Sequence, residues 1–253
     1  MSPNNISQIP SPILGNLQPV AIVIPTFNEV ENLPTLFKRI FKLDIPGLIV
    51  ILVDDGSPDG TGTLANGLAT KYEGKIDVIQ RGRKQGLGTA YVEGFTRALE
   101  KGAIHIIQMD ADLSHKPEYL PHFLKELEEV DVVVGSRYIE GGGMDGNWNL
   151  RRKLLSTLGN FGIKLITGLN VKDVTSGFKA FRRDVLTSIN LQATECYGFG
   201  FQAEVAYACQ AKNFRVREHP ILFSDRAAGY SKMSIRIILE ALWHLFLLRW
   251  RTW

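Results

Sequence analysis

Between residues 20 and 134, short unbroken apolar runs alternate with segments whose apolar positions recur at helical spacing. The runs at 20–25 (VAIVIP), 48–53 (LIVILV), 76–79, 104–109 and 132–134 predict strands buried on both faces. The segments at 32–43, 61–72, 88–101 and 118–129 predict helices, the last with Pro117 suited to its first turn. Strands alternating with helices mean βαβ units and a mostly parallel sheet covered on both faces. Beyond about residue 150 the alternation weakens. Helices near 151–167 and 200–211, a strand near 214–223 and a long C-terminal helix read as an appended subregion. Residues 1–19 hold four prolines and no charge, and read as a flexible arm. The expected organisation is arm 1–19, catalytic domain 20–232 and amphipathic helix 233–253.

In such sheets, ligands bind beyond the carboxyl ends of the strands, and the polar residues of interest fall there. Pro25-Thr26-Phe27-Asn28-Glu29 follows the first strand and Asp54-Asp55-Gly56-Ser57-Pro58-Asp59-Gly60 the second. Asp110-Ala111-Asp112-Leu113-Ser114-His115 follows the fourth and Gly135-Ser136-Arg137-Tyr138 the fifth. Acidic groups at neighbouring strand ends repel unless a cation or ligand donors lie between them. Asp110 and Asp112, at i and i+2 on an extended strand end, share a side, and hard oxygens so arranged suit Mg²⁺ or Mn²⁺ bridging to phosphates. Arg137 offers a permanently charged fork for phosphate oxygens. Asp59-Gly60 reads as a turn and helix cap. His105 reads as a core residue and His115 as a loop histidine. Gly141-Gly142-Gly143 with Gly146 suits either a mobile loop over the site or a plain surface loop.

Composition narrows the function classes. The chain has 253 residues, 45% of them apolar and 22% charged, ordinary values for a globular protein. Two cysteines, Cys196 and Cys209, match neither zinc spacing nor a disulfide framework. No GxGxxG follows the first strand and no GxxxxGK[ST] occurs, which excludes a dinucleotide-binding dehydrogenase and a P-loop NTPase. The net charge of +3 is too slight for nucleic-acid binding. It is uneven, however: residues 212–253 carry +5 and residues 1–211 carry −2. In 234–250, Arg236, Glu240 and His244 form a narrow polar stripe on an otherwise apolar helix. Trp243, Trp250 and Trp253 lie near Arg249 and Arg251, a pattern suited to a membrane interface or to burial against another surface.

The blocks PTFNE, VDDGSPDGT, GLGTA, MDADLSH and GSRY, with the later TSGF and DRxxGxSK, resemble the family-2 glycosyltransferases of GT-A fold. Within them they are most similar to the dolichol-phosphate or polyprenyl-phosphate mannose synthases. The resemblance runs from about residue 20 to 232. It implies an α/β, Rossmann-like GT-A fold that transfers mannose from GDP-mannose to a polyprenyl monophosphate with inversion. Pro25, Phe27, Glu29, Val53, Asp55, Asp110 and Ala111 would hold the nucleotide. Asp110 and Asp112 would meet the metal, and Arg137 the donor phosphates. Arg152 and Ser156 would contact the acceptor phosphate, with Arg226 and Lys232 in the phosphate region. Phe27 stands where the family usually has Tyr, which removes a hydroxyl. Ser114 stands where some members have a metal-ligating Gln. The alternatives are a UDP-glucose-dependent enzyme with the same acceptor and a non-catalytic sugar-nucleotide-binding subunit. The expected location is the cytoplasmic face of a membrane, held peripherally by the C-terminal helix or by a membrane-anchoring partner protein.

Overall fold

The computed structural model describes residues 19–145, 150–193 and 200–225. Residues 1–18 of the arm, Arg226, Lys232, Cys196 and the 233–253 helix lie outside them. In chain order the strands are β1 (Val20–Thr26), β2 (Leu48–Asp54), β3 (Ile76–Gln80), β4 (His105–Gln108), β5 (Val132–Ser136), β6 (Gly143–Met144), β7 (Lys179–Arg182), β8 (Val216–Pro220) and β9 (Leu222–Phe223). The helices are α1 (Leu33–Lys42), α2 (Thr61–Lys71), α3 (Leu87–Glu100), α4 (Leu120–Glu126), α5 (Leu150–Thr167), α6 (Arg183–Ser188) and α7 (Gly200–Ala211).

Seven strands form one sheet in the order β3-β2-β1-β4-β7-β5-β8, and β6 pairs with β9 in a small parallel ribbon. All seven residues of β1 are buried, as an unbroken apolar run at the centre of a doubly covered sheet requires. Its alternate side chains split between two cores. Ile22 and Ile24 face Leu36, Phe37 and Ile40 of α1 together with Leu120 and Phe123 of α4. Ala21 and Val23 face Ala90, Tyr91 and Phe95 of α3 together with Phe201 and Val205 of α7.

Four expectations change. The strand expected at 104–109 stops at Gln108, so Asp110 and Asp112 sit on a loop and not on an extended strand end. The helix expected at 118–129 is a 3-10 turn, Pro117–Tyr119, followed by the shorter α4. The region beyond 150 is no appendage. The strand β7, which the sequence pattern did not reveal, enters the sheet between β4 and β5 and runs antiparallel to both, and β8 extends the sheet's edge. Lys-Ala-Phe-Arg is four residues long and opens on a lysine, so it carries little periodic signal. The strand expected at 214–223 breaks into β8 and β9.

Candidate active site

The loop after β4 is built around its two carboxylates. Asp110 Oδ1 accepts a hydrogen bond from the Tyr91 hydroxyl of α3 at 2.9 Å. Tyr91 is fully buried, and burial, reinforced by Asp110, raises its pKa well above the usual tyrosine value, so it stays a donor. Asp112 is buried and takes both the backbone N–H and the hydroxyl of Ser114 on Oδ1. The turn between them places Leu113 at φ 63°, a left-handed conformation uncommon for a leucine. His115 lies on the loop, as the sequence suggested. It is buried against Phe178 at a centroid distance of 4.9 Å. Its Nδ1 accepts the Asp110 N–H at 3.1 Å, so the ring proton sits on Nε2, and burial lowers its pKa. Its 4.0 Å approach to Asp110 Oδ2 is therefore no ion pair. A Cβ on Gly177 would lie 3.3–3.4 Å from both Asp110 carboxylate oxygens, so the backbone of the TSGF block packs flat against that carboxylate.

Arg137 lies across the same cleft. A small pocket of about 60 Å³ is bounded by Asp110, His115, Arg137, Thr175, Gly177 and Gln202, among others. The Arg137 fork is held by Asp173, Nε at 2.8 Å and Nη2 at 2.7 Å, and Nη2 also donates to Thr175 at 2.7 Å. Burial alone would pull the guanidinium's pKa down, and the Asp173 pair reverses that and raises it. Asp173 therefore fixes Arg137. The ring of Phe223 in β9 lies 5.2 Å from the guanidinium carbon. Gly143 and Asp145 are hydrogen-bonded to Ile221 and Phe223, so residues 141–145 are fastened as a ribbon.

On the β1–β2 side, Pro25 and Val53 are buried, while Phe27 and Glu29 are partly exposed. The Lys84 ammonium lies 4.1 Å from the centre of the Phe27 ring. Asp55 is buried and accepts from the N–H groups of Gln85 and Gly86, both at 2.8 Å, and from Arg81 at 3.0 Å. Its carboxylate thus ties the turn at 81–86 to the end of β2. Asp59 caps α2 through the Thr61 N–H, as the sequence suggested. His105, at the start of β4, is only partly buried.

The backbone of α5 carries Arg152 and Ser156. The Ser156 hydroxyl pairs with the Tyr138 hydroxyl at 2.9 Å, which brings the helix against the loop of Arg137. Buried Asn160 donates to the Lys172 carbonyl at 2.6 Å and accepts from the Val174 N–H at 3.0 Å, so α5 also grips the strip that carries Asp173. Leu154, Leu155, Leu158, Phe161 and Leu165 of α5 are each more than half exposed. No helix among the described residues is long and apolar enough to cross a membrane. Among the described residues no group of three or more His, Cys, Asp or Glu is arranged to hold a metal ion by itself.

Tyr91, Asp173, Gln202 and Phe223 are the cleft residues that sequence reasoning did not assign to the site. The adjacency of Asp173 to the TSGF block was the one signal available.

A family model described as glycosyl transferase family 2 matches residues 21–189. The chain is 42% identical over 222 residues to an undecaprenyl-phosphate mannosyltransferase of Micrococcus luteus, covering 88% of this chain and 90% of that protein. It is 41% identical over 226 residues to a polyprenol monophosphomannose synthase of Mycolicibacterium smegmatis, covering 89% and 84%. Among solved structures, glucosyl-3-phosphoglycerate synthase from Mycobacterium tuberculosis, in complex with Mn²⁺, UDP-glucose and phosphoglyceric acid, superposes with a TM-score of 0.65. That match has 18% identity and covers 92% of this chain and 79% of the other, a likeness of fold.

Proposed function

Because the chain belongs to glycosyl transferase family 2, we propose that it transfers mannose from GDP-mannose to a polyprenyl monophosphate, with inversion at the anomeric carbon. The observation that carries this reading is the near-full-length similarity to two enzymes named for mannose and a polyprenyl phosphate. The exposed leucines of α5, on the helix that also holds Arg152 and Ser156, supply an apolar surface of the kind a lipid acceptor requires. The choice of GDP-mannose rests on the sequence resemblance.

The donor set suits a divalent cation. Asp110 and Asp112 are hard oxygen ligands on one short loop, and the diphosphate would complete the shell, as expected where the described residues gather no third carboxylate beside them. When bound, Mg²⁺ or Mn²⁺ would supply charge stabilisation for the departing diphosphate. Tyr91 and the flat backbone at Gly177 fix the orientation of Asp110. Asp173 and Thr175 hold Arg137 at the cleft wall, so little side-chain freedom is lost when it meets the donor phosphates. Pro25, Phe27, Glu29, Val53 and Ala111 line the nucleoside side, and Asp55 contributes through the turn it ties down. The acceptor needs no general base, because a phosphomonoester with a second pKa of about 6 is already anionic near pH 7. It needs cationic positioning, for which Arg152, Arg226 and Lys232 are the candidates, with Ser156 as a hydroxyl partner. Contact with the membrane is peripheral, through α5 and the C-terminal segment.

The test is incubation of the full chain with radiolabelled GDP-mannose or UDP-glucose, a short polyprenyl phosphate and Mg²⁺, followed by extraction of labelled lipid. Mannolipid is expected. Product from UDP-glucose alone would shift the reading to a glucosyltransferase, and product from neither would overturn it. In the same assay Asp112→Ala abolishes turnover while the melting transition survives; a near-normal rate would remove Asp112 from the metal site.

A further inference from the structure

The side chain of Tyr138 touches two residues that the proposed reaction gives to different substrates. It lies two residues beyond the end of β5 and is half-buried. The Arg137 guanidinium carbon sits over its ring, 5.2 Å from the centre. Its hydroxyl meets the Ser156 hydroxyl of α5 at 2.9 Å. Arg137 is the candidate for the donor phosphates and Ser156 for the acceptor phosphate. The arginine is already held, because Asp173 and Thr175 engage its Nε and Nη2. The tyrosine ring therefore rests on a fixed surface, and the position of its hydroxyl follows. The turn of α5 around Ser156 is open: Leu154, Leu155, Thr157 and Leu158 are exposed, whereas Ser156 is half-buried. A phenol is a better donor than an alcohol, so Tyr138 donates and Ser156 accepts. The serine's own proton then remains for another acceptor, and a hydroxyl that accepts one hydrogen bond donates more strongly in the next.

We propose that Tyr138 is a positioning residue for the acceptor: its ring rests on Arg137, and its hydroxyl holds Ser156 so that the serine donates to the lipid phosphate. The placement of the acceptor is thereby referred to the wall that meets the donor phosphates, through Asp173, Arg137, Tyr138 and Ser156 in turn. Such a link matters because the attacking phosphate oxygen must be held in line with the anomeric carbon, and a misplacement of about 1 Å costs up to about a hundredfold in rate. The proposal rests on the reading of Ser156 as an acceptor residue.

The full chain is assayed with a short polyprenyl phosphate varied at saturating GDP-mannose, and then with the two exchanged. Tyr138→Phe keeps the ring on Arg137 and removes only the hydroxyl. It should raise KM for the polyprenyl phosphate about threefold to tenfold. KM for GDP-mannose, and GDP affinity by calorimetry, should stay within about twofold of wild type. Ser156→Ala should raise the acceptor KM by at least the same factor, and adding Tyr138→Phe to it should cost less than about twofold more. A merely structural hydroxyl would move the two KM values together, and that result overturns the proposal. So does an acceptor KM unchanged in Tyr138→Phe, or full multiplication of the two effects in the double variant. An acceptor KM unchanged in Ser156→Ala, or a wild type that makes no mannolipid, overturns the functional reading first, and the proposal falls with it.

Discussion

Tyr91 shows how one side chain far from the motif sets the motif's geometry. It reaches Asp110 from α3 across a separation of 19 residues. Removing a hydrogen bond to a charged group costs roughly 1.5–3 kcal/mol. Tyr91→Phe is therefore expected to lower kcat/KM about tenfold or more and to raise the Mg²⁺ needed for half-maximal rate. An unchanged Mg²⁺ dependence would show that Asp110 is oriented without it. The carboxylates themselves were legible in the sequence, because acidic residues clustered at strand ends are a local signal. Asp173 and Gln202 were not. Asp173 meets Arg137 across 36 residues, and Gln202 meets Gln108 across 94. No spacing rule links such partners before the strands are ordered. The i, i+2 argument for Asp110 and Asp112 started from an extended strand end, and the structure replaces that premise: β4 stops at Gln108 and both residues lie on the loop beyond it.

At the scale of elements, α3 lies unusually close to the sheet. A Cβ on Gly94 would come within 2.2 Å of Val23 Cγ1 and 3.2 Å of Val53 Cγ2. This close seat carries Tyr91 to Asp110. Gly94→Ala should push the helix outward, destabilise the fold by about 1–3 kcal/mol and lower activity; denaturant unfolding would measure the first effect. Asp131 joins three elements at the other end of the sheet. Its carboxylate accepts from the backbone and guanidinium of Arg215 before β8 and lies 3.5 Å from Arg182 of β7. The Arg215 bonds lower the Asp131 pKa below 3.8 against the opposing pull of burial. A depressed carboxylate contributes stability above its unfolded pKa, and that stability is lost as pH falls through the folded value. Asp131→Asn should accordingly melt only slightly below wild type at pH 7, because the Arg215 partner is exposed and the pair is screened by solvent, and the gap should narrow as pH falls from 3.8. A gap that persists there would assign the loss to packing. The βα units as far as β5 were readable because each repeats a strong local pattern. β7 was not, since its lysine is buried by tertiary hydrogen bonds that periodicity does not encode.

For the whole molecule, the sequence showed an uneven charge and an apolar C-terminal segment, and the structure adds a second apolar surface on α5. The stripe of Leu154, Leu158, Phe161 and Leu165 has helical spacing and faces outward, so α5 and the cleft together present a lipid-compatible side. Replacing Phe161 and Leu165 by Glu should weaken sedimentation with anionic vesicles and raise KM for a long polyprenyl phosphate. It should leave GDP affinity unchanged. Vesicle binding equal to wild type would remove α5 from the membrane contact. The sheet order has a consequence for how the protein is made. β5 pairs with β7 and β8, not with β4. A nascent chain that has emerged as far as residue 150 can assemble β3, β2, β1 and β4, but β5 has no strand to join. The strand that leads to Asp110 and Asp112 can thus be placed early in synthesis, and Gly177 and Phe178 pack against the loop only later. The wall that bears Arg137 must wait until residues 179–182 slot into the gap, a long-range closure of the kind that slows folding.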